Sequence, residues 1–219
     1  MDQIPRDVCQ PRVKICGITS VDDGVLAADA GADAIGLVFY QPSPRYVSID
    51  SAAQIARSVG PFISTVGLFV NAEAELIQRV LDAVPLQVLQ FHGDETAEFC
   101  EQFHRPYMKA IRMQATVDLN IAVKEYASAV GILLDTYQKG VPGGTGAVFD
   151  WDRVPAVEKR VAEAYPPIIL AGGLTPTNVK AAIQQTSPYA VDVSGGVESS
   201  AGKKNTQQVT NFIANAKTV

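Results

Sequence analysis

The chain has 219 residues, 47% of them hydrophobic and 19% charged, which is typical of a folded globular protein rather than a disordered one. Its net charge is -5 and no segment is strongly basic, so the composition argues against a nucleic-acid-binding protein. No apolar run approaches the roughly 18 residues that cross a bilayer, and the first residues form no apolar signal segment. We therefore expect a cytoplasmic protein with neither a nucleic-acid nor a membrane partner.

Short apolar runs alternate with longer amphipathic runs along the whole chain, a pattern typical of parallel strands joined by helices. The runs predict eight strands, at 13–16, 34–39, 65–70, 87–91, 107–112, 131–134, 168–170 and 190–193. The intervening segments predict helices at 21–30, 50–59, 73–84, 95–103, 117–126, 152–164, 177–185 and 206–216.

Eight such units in this length favour an α/β fold, a single-domain (βα)8 TIM barrel over residues 13–219, with residues 1–12 as a short N-terminal extension. The alternative is an open doubly wound sheet, which would favour a glycine-rich loop after the first strand. Here the glycine-rich turns follow the last strands instead, so the barrel is preferred.

Glycine turns follow both of the last two predicted strands, where barrels of this class bind phosphate. The residues are Gly172 and Gly173 after one strand and Ser194, Gly195 and Gly196 after the other. A short helix through Val197 and Glu198 would then aim free N–H groups at the phosphate. Two turns at the expected strands favour a phosphate site over simple tight turns.

Cysteine and histidine usage excludes several kinds of site. Cys9, Cys16 and Cys100 are odd in number and form no CxxC pair, so a disulfide framework is not expected. His92 and His104 lie too far apart for a local zinc motif, and we expect no metal. Cys9 and Cys100 are interpreted as structural.

Cys16 lies at the end of the first predicted strand, at the active end of a barrel. Its local sequence also fits an inert core cysteine. A modest lowering of its pKa would supply a thiolate that can act as a base. Lys14 points to the same side of the strand, where it either stabilises that thiolate or fills the barrel interior.

Polar residues end other predicted strands. Asp135 suits a general acid or base, although it could also cap the following loop. Arg45 could bind a substrate carboxylate, or it could be a solvated surface residue. His92 could bind substrate or make only a backbone hydrogen bond, and Asp192 is a secondary candidate. The segment Gly140–Gly146 is either a lid or a plain flexible loop.

These motifs together resemble phosphoribosylanthranilate isomerase over nearly the whole chain beyond residue 12. The specific segments are Lys-x-Cys-Gly-Ile-Thr from Lys14 and Gln-x-His-Gly-Asp from Gln90. Further matches are Gly36-Leu37-Val38-Phe39 through Ser43-Pro44-Arg45, Val66-Gly67-Leu68-Phe69-Val70-Asn71, Leu134-Asp135, Gly143-Gly144-Thr145-Gly146, Leu170-Ala171-Gly172-Gly173-Leu174 and Val191-Asp192-Val193-Ser194.

The resemblance implies an Amadori rearrangement of N-(5-phosphoribosyl)anthranilate in tryptophan biosynthesis, with a phosphosugar as partner and no cofactor. It implies that Cys16 is the general base, Asp135 the general acid and Arg45 the ligand of the anthranilate carboxylate. One departure is Gly195, where many relatives carry a second serine.

Other phosphosugar barrels remain as rivals: a related synthase, or a dual-substrate isomerase of histidine and tryptophan metabolism. The synthase would be expected to carry a long N-terminal extension, and the dual-substrate enzyme an acidic residue where Cys16 lies. A non-catalytic barrel that binds a phosphorylated ligand would need neither Cys16 nor Asp135. The assembly is a monomer or a homodimer.

Overall fold

Eight parallel strands close into a barrel in chain order, in a computed structural model that describes residues 10–136 and 148–218. This confirms the predicted (βα)8 fold. The strands are β1 Arg12–Cys16, β2 Ala34–Val38, β3 Ser64–Phe69, β4 Val88–Phe91, β5 Tyr107–Arg112, β6 Gly131–Asp135, β7 Ile168–Leu170 and β8 Ala190–Val193. Pairing of β1 with β8 closes the cylinder, so all eight carboxyl ends meet on one face.

Helices connect the strands and cover the outside of the barrel. They are α1 Val21–Asp29, α2 Ile49–Ser58, α3 Ala74–Ala83, α4 Ala97–Glu101, α5 Leu119–Glu125, α6 Val157–Ala162, α7 Val179–Thr186 and α8 Thr206–Lys217. Polar side chains fix several of their starts: the hydroxyls of Ser20 and Ser48 accept hydrogen bonds from the first turns of α1 and α2.

The sixth predicted helix, 152–164, is wrong in its first half. A 3-10 turn covers Trp151–Arg153, and α6 begins only at Val157. Pro155 explains the break, because a proline disfavours helical backbone in the residue before it. Val154 is accordingly extended, with φ -77° and ψ 119°.

The predicted short helix through Val197 and Glu198 is also wrong. A single 3-10 turn covers Gly195–Val197, and Glu198 begins a strand, β9 Glu198–Ser200. This strand pairs antiparallel with β10 Lys203–Lys204, so the chain forms a small hairpin before α8. The hairpin places Glu198 opposite Lys204.

Apolar side chains fill both sides of the strands. The largest cluster lies between barrel and helices, where Ile15 and Phe91 of the strands belong to one buried group with Val80 and Phe212 of the helices. A second cluster, which includes Leu133, joins residues of β5 to β8. The barrel is therefore a packed core rather than a pore.

Two sequence interpretations fall on residues that the structure does not describe. Cys9 with residues 1–9, and the proposed lid Gly140–Gly146, lie outside the described ranges. Within those ranges, no helix is both long and apolar enough to cross a membrane.

Candidate active site

The predicted site residues gather at the carboxyl end of the barrel. Cys16 ends β1 and Asp135 ends β6, while His92 directly follows β4. Arg45 lies in the loop after β2, and Ser194 follows β8. Parallel strands in a closed barrel bring these positions, far apart in sequence, around a single opening.

A buried ion pair lies beside Cys16. The ammonium of Lys14 is 2.8 Å from Asp192 Oδ1, and both side chains are less than a tenth exposed. Burial opposes the charge on Lys14, but the attraction of Asp192 and Cys16 outweighs it and raises the pKa of Lys14 to about 12. Lys14 also makes a side-chain hydrogen bond with Cys16. Both open interpretations of Lys14 therefore hold, since it fills the interior and faces the thiol.

The Cys16 thiol itself does not have the lowered pKa that a thiolate near neutral pH would need. Burial raises its pKa most strongly, and the Asp192 carboxylate adds to that effect. The neighbouring cations Lys14 and Lys204 act in the opposite direction without cancelling the burial effect. Burial therefore disfavours the thiolate form of Cys16.

Gly36 of β2 makes room for this thiol. A Cβ atom at position 36 would lie 2.7 Å from Cys16 Sγ and 3.1 Å from Lys14 Nζ. Those distances are shorter than van der Waals contact, so any side chain at this position would displace one of the two groups.

Arg45 is not a solvated surface residue. Its Nε and Nη2 donate to the two carboxylate oxygens of Glu198, each at 2.9 Å, and its side chain is only 15% exposed. This two-fold hydrogen bond to Glu198 raises the pKa of Arg45. The guanidinium is thus held in one orientation at the opening.

Lys204 of the hairpin connects this pair to the ends of β1 and β8. Its ammonium donates to Glu198 Oε1 at 2.8 Å, to the Cys16 carbonyl at 2.6 Å and to the Ser194 carbonyl at 3.3 Å. Burial lowers the pKa of Lys204, with Glu198 opposing that effect. Burial also disfavours the Glu198 carboxylate, but Arg45 and Lys204 outweigh it and lower the Glu198 pKa. The hairpin therefore ties Arg45 to the end of β1.

Asp135 makes two hydrogen bonds. Its Oδ1 accepts from the Thr136 N–H at 2.8 Å, and its Oδ2 lies 3.0 Å from His92 Nε2. The other ring nitrogen of His92 lies 3.0 Å from the Gln90 side-chain amide. His92 thus binds side chains rather than making only a backbone hydrogen bond, and it orients the carboxyl group.

At the two glycine turns the backbone lies so close to neighbouring groups that a side chain would not fit. Gly172 has a φ of +79°, and a Cβ there would lie 2.3 Å from Thr136 Oγ1, so only glycine fits. Ser194 Oγ is buried and has no hydrogen-bond partner among the described residues. A buried hydroxyl without a partner is costly, and an anionic ligand would satisfy it.

Sequence reasoning missed Glu198, Lys204 and the role of Gln90. The hairpin could have been found from Ala201-Gly202, a two-residue turn between short polar runs. Gln90 lies two residues before His92 on the same strand, so alternation alone places both on one face. Within the described ranges, no cluster of three or more His, Cys, Asp or Glu side chains could hold a metal ion.

Comparison with known proteins agrees with this geometry. The sequence profile of the N-(5'-phosphoribosyl)anthranilate (PRA) isomerase family matches residues 13–215. The N-(5'-phosphoribosyl)anthranilate isomerase of Pseudomonas aeruginosa strain UCBPP-PA14 is 57% identical over 202 residues, which cover 92% of this chain and 93% of that protein.

Solved structures give the same result. The crystal structure of phosphoribosyl anthranilate isomerase from Thermotoga maritima superposes with a TM-score of 0.85 at 39% identity, covering 95% of this chain and all of that one. Another, in complex with reduced 1-(o-carboxyphenylamino)-1-deoxyribulose 5-phosphate, has a TM-score of 0.81 at 38% identity over 95% and 100% of the two chains. The chain therefore belongs to the N-(5'-phosphoribosyl)anthranilate isomerase family.

Proposed function

We propose that the protein catalyses the Amadori rearrangement of N-(5-phosphoribosyl)anthranilate to 1-(2-carboxyphenylamino)-1-deoxyribulose 5-phosphate in tryptophan biosynthesis, without a cofactor. The observation that carries the proposal is the pair of proton-transfer groups at one barrel end. Cys16 lies against two lysines, and Asp135 lies against two hydrogen-bond donors.

Ring opening is the first step, and Asp135 is its general acid. The carboxyl group gives a proton to the ring oxygen as the bond from that oxygen to C1′ breaks. The lone pair of the anthranilate nitrogen forms the C1′=N bond, which leaves a cationic Schiff base. The carboxylate left behind is stabilised by the Thr136 N–H and the His92 ring.

Proton removal from C2′ is the second step, and Cys16 is its general base. The C–H electron pair forms the C1′=C2′ bond and the C=N electrons return to nitrogen, giving an enolamine. Its C2′ hydroxyl then loses a proton as C1′ gains one, which produces the ketone. The cationic Schiff base adds to the effect of Lys14 and Lys204, so bound substrate favours the thiolate against the effect of burial.

The remaining site residues bind the two anionic ends of the substrate. Arg45, oriented by Glu198, binds the anthranilate carboxylate through the part of its guanidinium that Glu198 leaves free. The phosphate lies at the opposite glycine turns, on Gly172, Gly173, Ser194, Gly195 and Gly196. His92 lines the site and holds Asp135 beside the ring oxygen.

Residues 13–219 form one catalytic domain in this proposal, with residues 1–12 as an extension, in a cytoplasmic protein. The assembly is a monomer or a homodimer. Phe62, in the loop after α2 at the amino end of the barrel, is 95% exposed and is one of several large apolar side chains that a partner copy would cover. Light scattering of the purified protein distinguishes the two assemblies.

The direct test is conversion of freshly prepared phosphoribosylanthranilate, followed by loss of its fluorescence, with added chelator and no cofactor. Rapid conversion supports the proposal. No conversion by folded protein would contradict it and would favour a different phosphosugar substrate or a binding protein.

A further inference from the structure

Gln90 lies beneath the acid of the proposed mechanism, and no role in that mechanism has been given to it. Its side chain is fully buried on β4, and its amide nitrogen is 3.0 Å from His92 Nδ1. His92 Nε2 is in turn 3.0 Å from Asp135 Oδ2. The three side chains form a single hydrogen-bonded row that ends at the reacting carboxyl group.

The row can be assigned for the state in which Asp135 has given up its proton. Its carboxylate is then an acceptor on both oxygens, and Oδ1 accepts from Thr136. His92 Nε2, 3.0 Å from Oδ2, supplies the second hydrogen. In a neutral imidazole the other nitrogen, Nδ1, is then an acceptor, and the NH2 group of Gln90 supplies its donor.

An imidazolium does not fit this row. With the amide oriented as it is here, an imidazolium would direct its Nδ1 hydrogen at the Gln90 NH2 group, where Gln90 is fully buried and His92 is only 6% exposed. When two donors face each other in a buried site, no hydrogen bond forms between them, and both groups remain desolvated without a partner.

The carbonyl oxygen of the Gln90 amide lies in an unfavourable position. Gln90 Oε1 is buried and has no hydrogen-bond partner among the described residues. An apolar side chain would fill the same space without that cost, so packing alone does not explain an amide here.

We infer that Gln90 is a positioning residue that keeps His92 neutral, so that the catalytic proton resides on Asp135 and not on the imidazole. This inference rests on the proposed role of Asp135 as general acid. If His92 took the proton, it would pair as a cation with the Asp135 carboxylate, and that carboxylate would have no proton to give to the ring oxygen. With His92 neutral, its N–H stabilises the carboxylate only as the proton leaves.

Nitrogen NMR of histidine-labelled protein tests the inference, because the chain has only two histidines and His104 is an exposed internal reference. In the wild type we expect the neutral Nε2–H form of His92. The change Gln90→Glu keeps the size of the side chain but replaces the donor with an acceptor, and we expect it to convert His92 to the imidazolium. An imidazolium in the wild type, or a neutral His92 in Gln90→Glu, would overturn the inference.

Turnover gives the second readout. General acid–base groups contribute about 10²–10⁴-fold, so we expect Gln90→Glu to lower kcat by about 100-fold with little change in KM. Gln90→Leu, which only removes the donor, should lower kcat less, whereas a purely structural role would make the isosteric Glu the milder change. Gln102→Glu, on an exposed glutamine of the same βα unit, is the matched control and should leave turnover unchanged.

The outcomes separate the two proposals. A wild type that does not convert phosphoribosylanthranilate contradicts the proposed function, while the NMR result still decides the state of His92. A wild type that converts it, with Gln90→Glu equally active, contradicts only the role of Gln90. If Gln90→Glu does not fold, Gln90→Leu carries both measurements: native kcat with an unchanged Nε2–H tautomer would overturn the inference.

Discussion

Two lysine–carboxylate pairs are buried in the barrel, and they have the same geometry. Lys14 and Asp192 are 2.8 Å apart, as are Lys109 and Glu95, and all four side chains are less than a tenth exposed. By distance and burial alone, the two pairs could not be told apart.

Their surroundings differ. Glu95 also accepts hydrogen bonds from the backbone N–H groups of Asn71 and Gly93, and Lys109 donates to the Gly93 carbonyl. This pair therefore holds the loops after β3 and β4 in place. The Lys14–Asp192 pair lies instead against the Cys16 thiol and changes its pKa. Whether a buried ion pair stabilises a loop or changes the pKa of a neighbouring group therefore depends on the third group that the pair contacts.

Neutralising each pair should separate these roles. We expect Lys14→Met with Asp192→Asn to lower kcat by about 100-fold, within the range of acid–base contributions. Its free energy of unfolding should change little, because both buried charges are removed together. Turnover assays and urea unfolding measure the two effects. If this variant keeps its turnover, the Lys14–Asp192 pair has no role in the reaction.

The matched variant is Lys109→Met with Glu95→Gln. One amide oxygen cannot accept from both backbone N–H groups, so we expect a loss of about 1–3 kcal/mol in the free energy of unfolding. Turnover of the folded fraction should be preserved. Equal losses of activity in the two double variants would mean that the pairs do not differ in role.

The pH dependence of kcat/KM also distinguishes the two ion pairs. Burial raises the pKa of Cys16, so kcat/KM of the wild type should rise with pH above neutrality as thiolate forms. Lys14 lowers this pKa more than Asp192 raises it, so removing both should raise it further and move the rising limb to higher pH. The Lys109 and Glu95 double variant should leave the limb in place.

Replacing Glu198 tests whether the hairpin orients the substrate through Arg45. Removing the charge with Glu198→Gln weakens the two-fold hydrogen bond to Arg45, and charged hydrogen bonds contribute about 1.5–3 kcal/mol. We expect KM to rise by about tenfold with a smaller change in kcat. The exposed Glu163→Gln, whose partner Lys159 is 4.0 Å away, is the control and should change neither. A fall in kcat with KM unchanged would contradict the role in binding.

The smallest effect is expected at Gly36. Gly36→Ala places a Cβ 2.7 Å from Cys16 Sγ, and misplacing the thiol should lower kcat by about tenfold. Gly60→Ala is the control: it lies in open space but has a φ of +81°, so it should cost about 1 kcal/mol of stability and no activity. Equal turnover of the two variants would show that Gly36 does not position the thiol.

The strands and the carboxyl-end residues were predictable because apolar periodicity and chain order place them. The hairpin was missed although Ala201-Gly202 is a recognisable two-residue turn, because the glycine turn before Glu198 also suits the start of a helix. The helix break before α6 could have been predicted from Pro155. The direction of the shift in the Cys16 pKa could not have been predicted from the sequence. It depends on burial and on Lys14, Asp192 and Lys204, which only the closed barrel brings together.

The central claim is that Cys16 is the base, and comparing two cysteine variants tests it most directly. Cys16→Ala and Cys100→Ala each remove one buried thiol, but Cys100 belongs to α4 and lies in the core between the helices and the barrel. We predict that Cys16→Ala lowers turnover of phosphoribosylanthranilate by about 10²-fold or more while Cys100→Ala keeps it. Full turnover by folded Cys16→Ala would show that another group removes the C2′ proton.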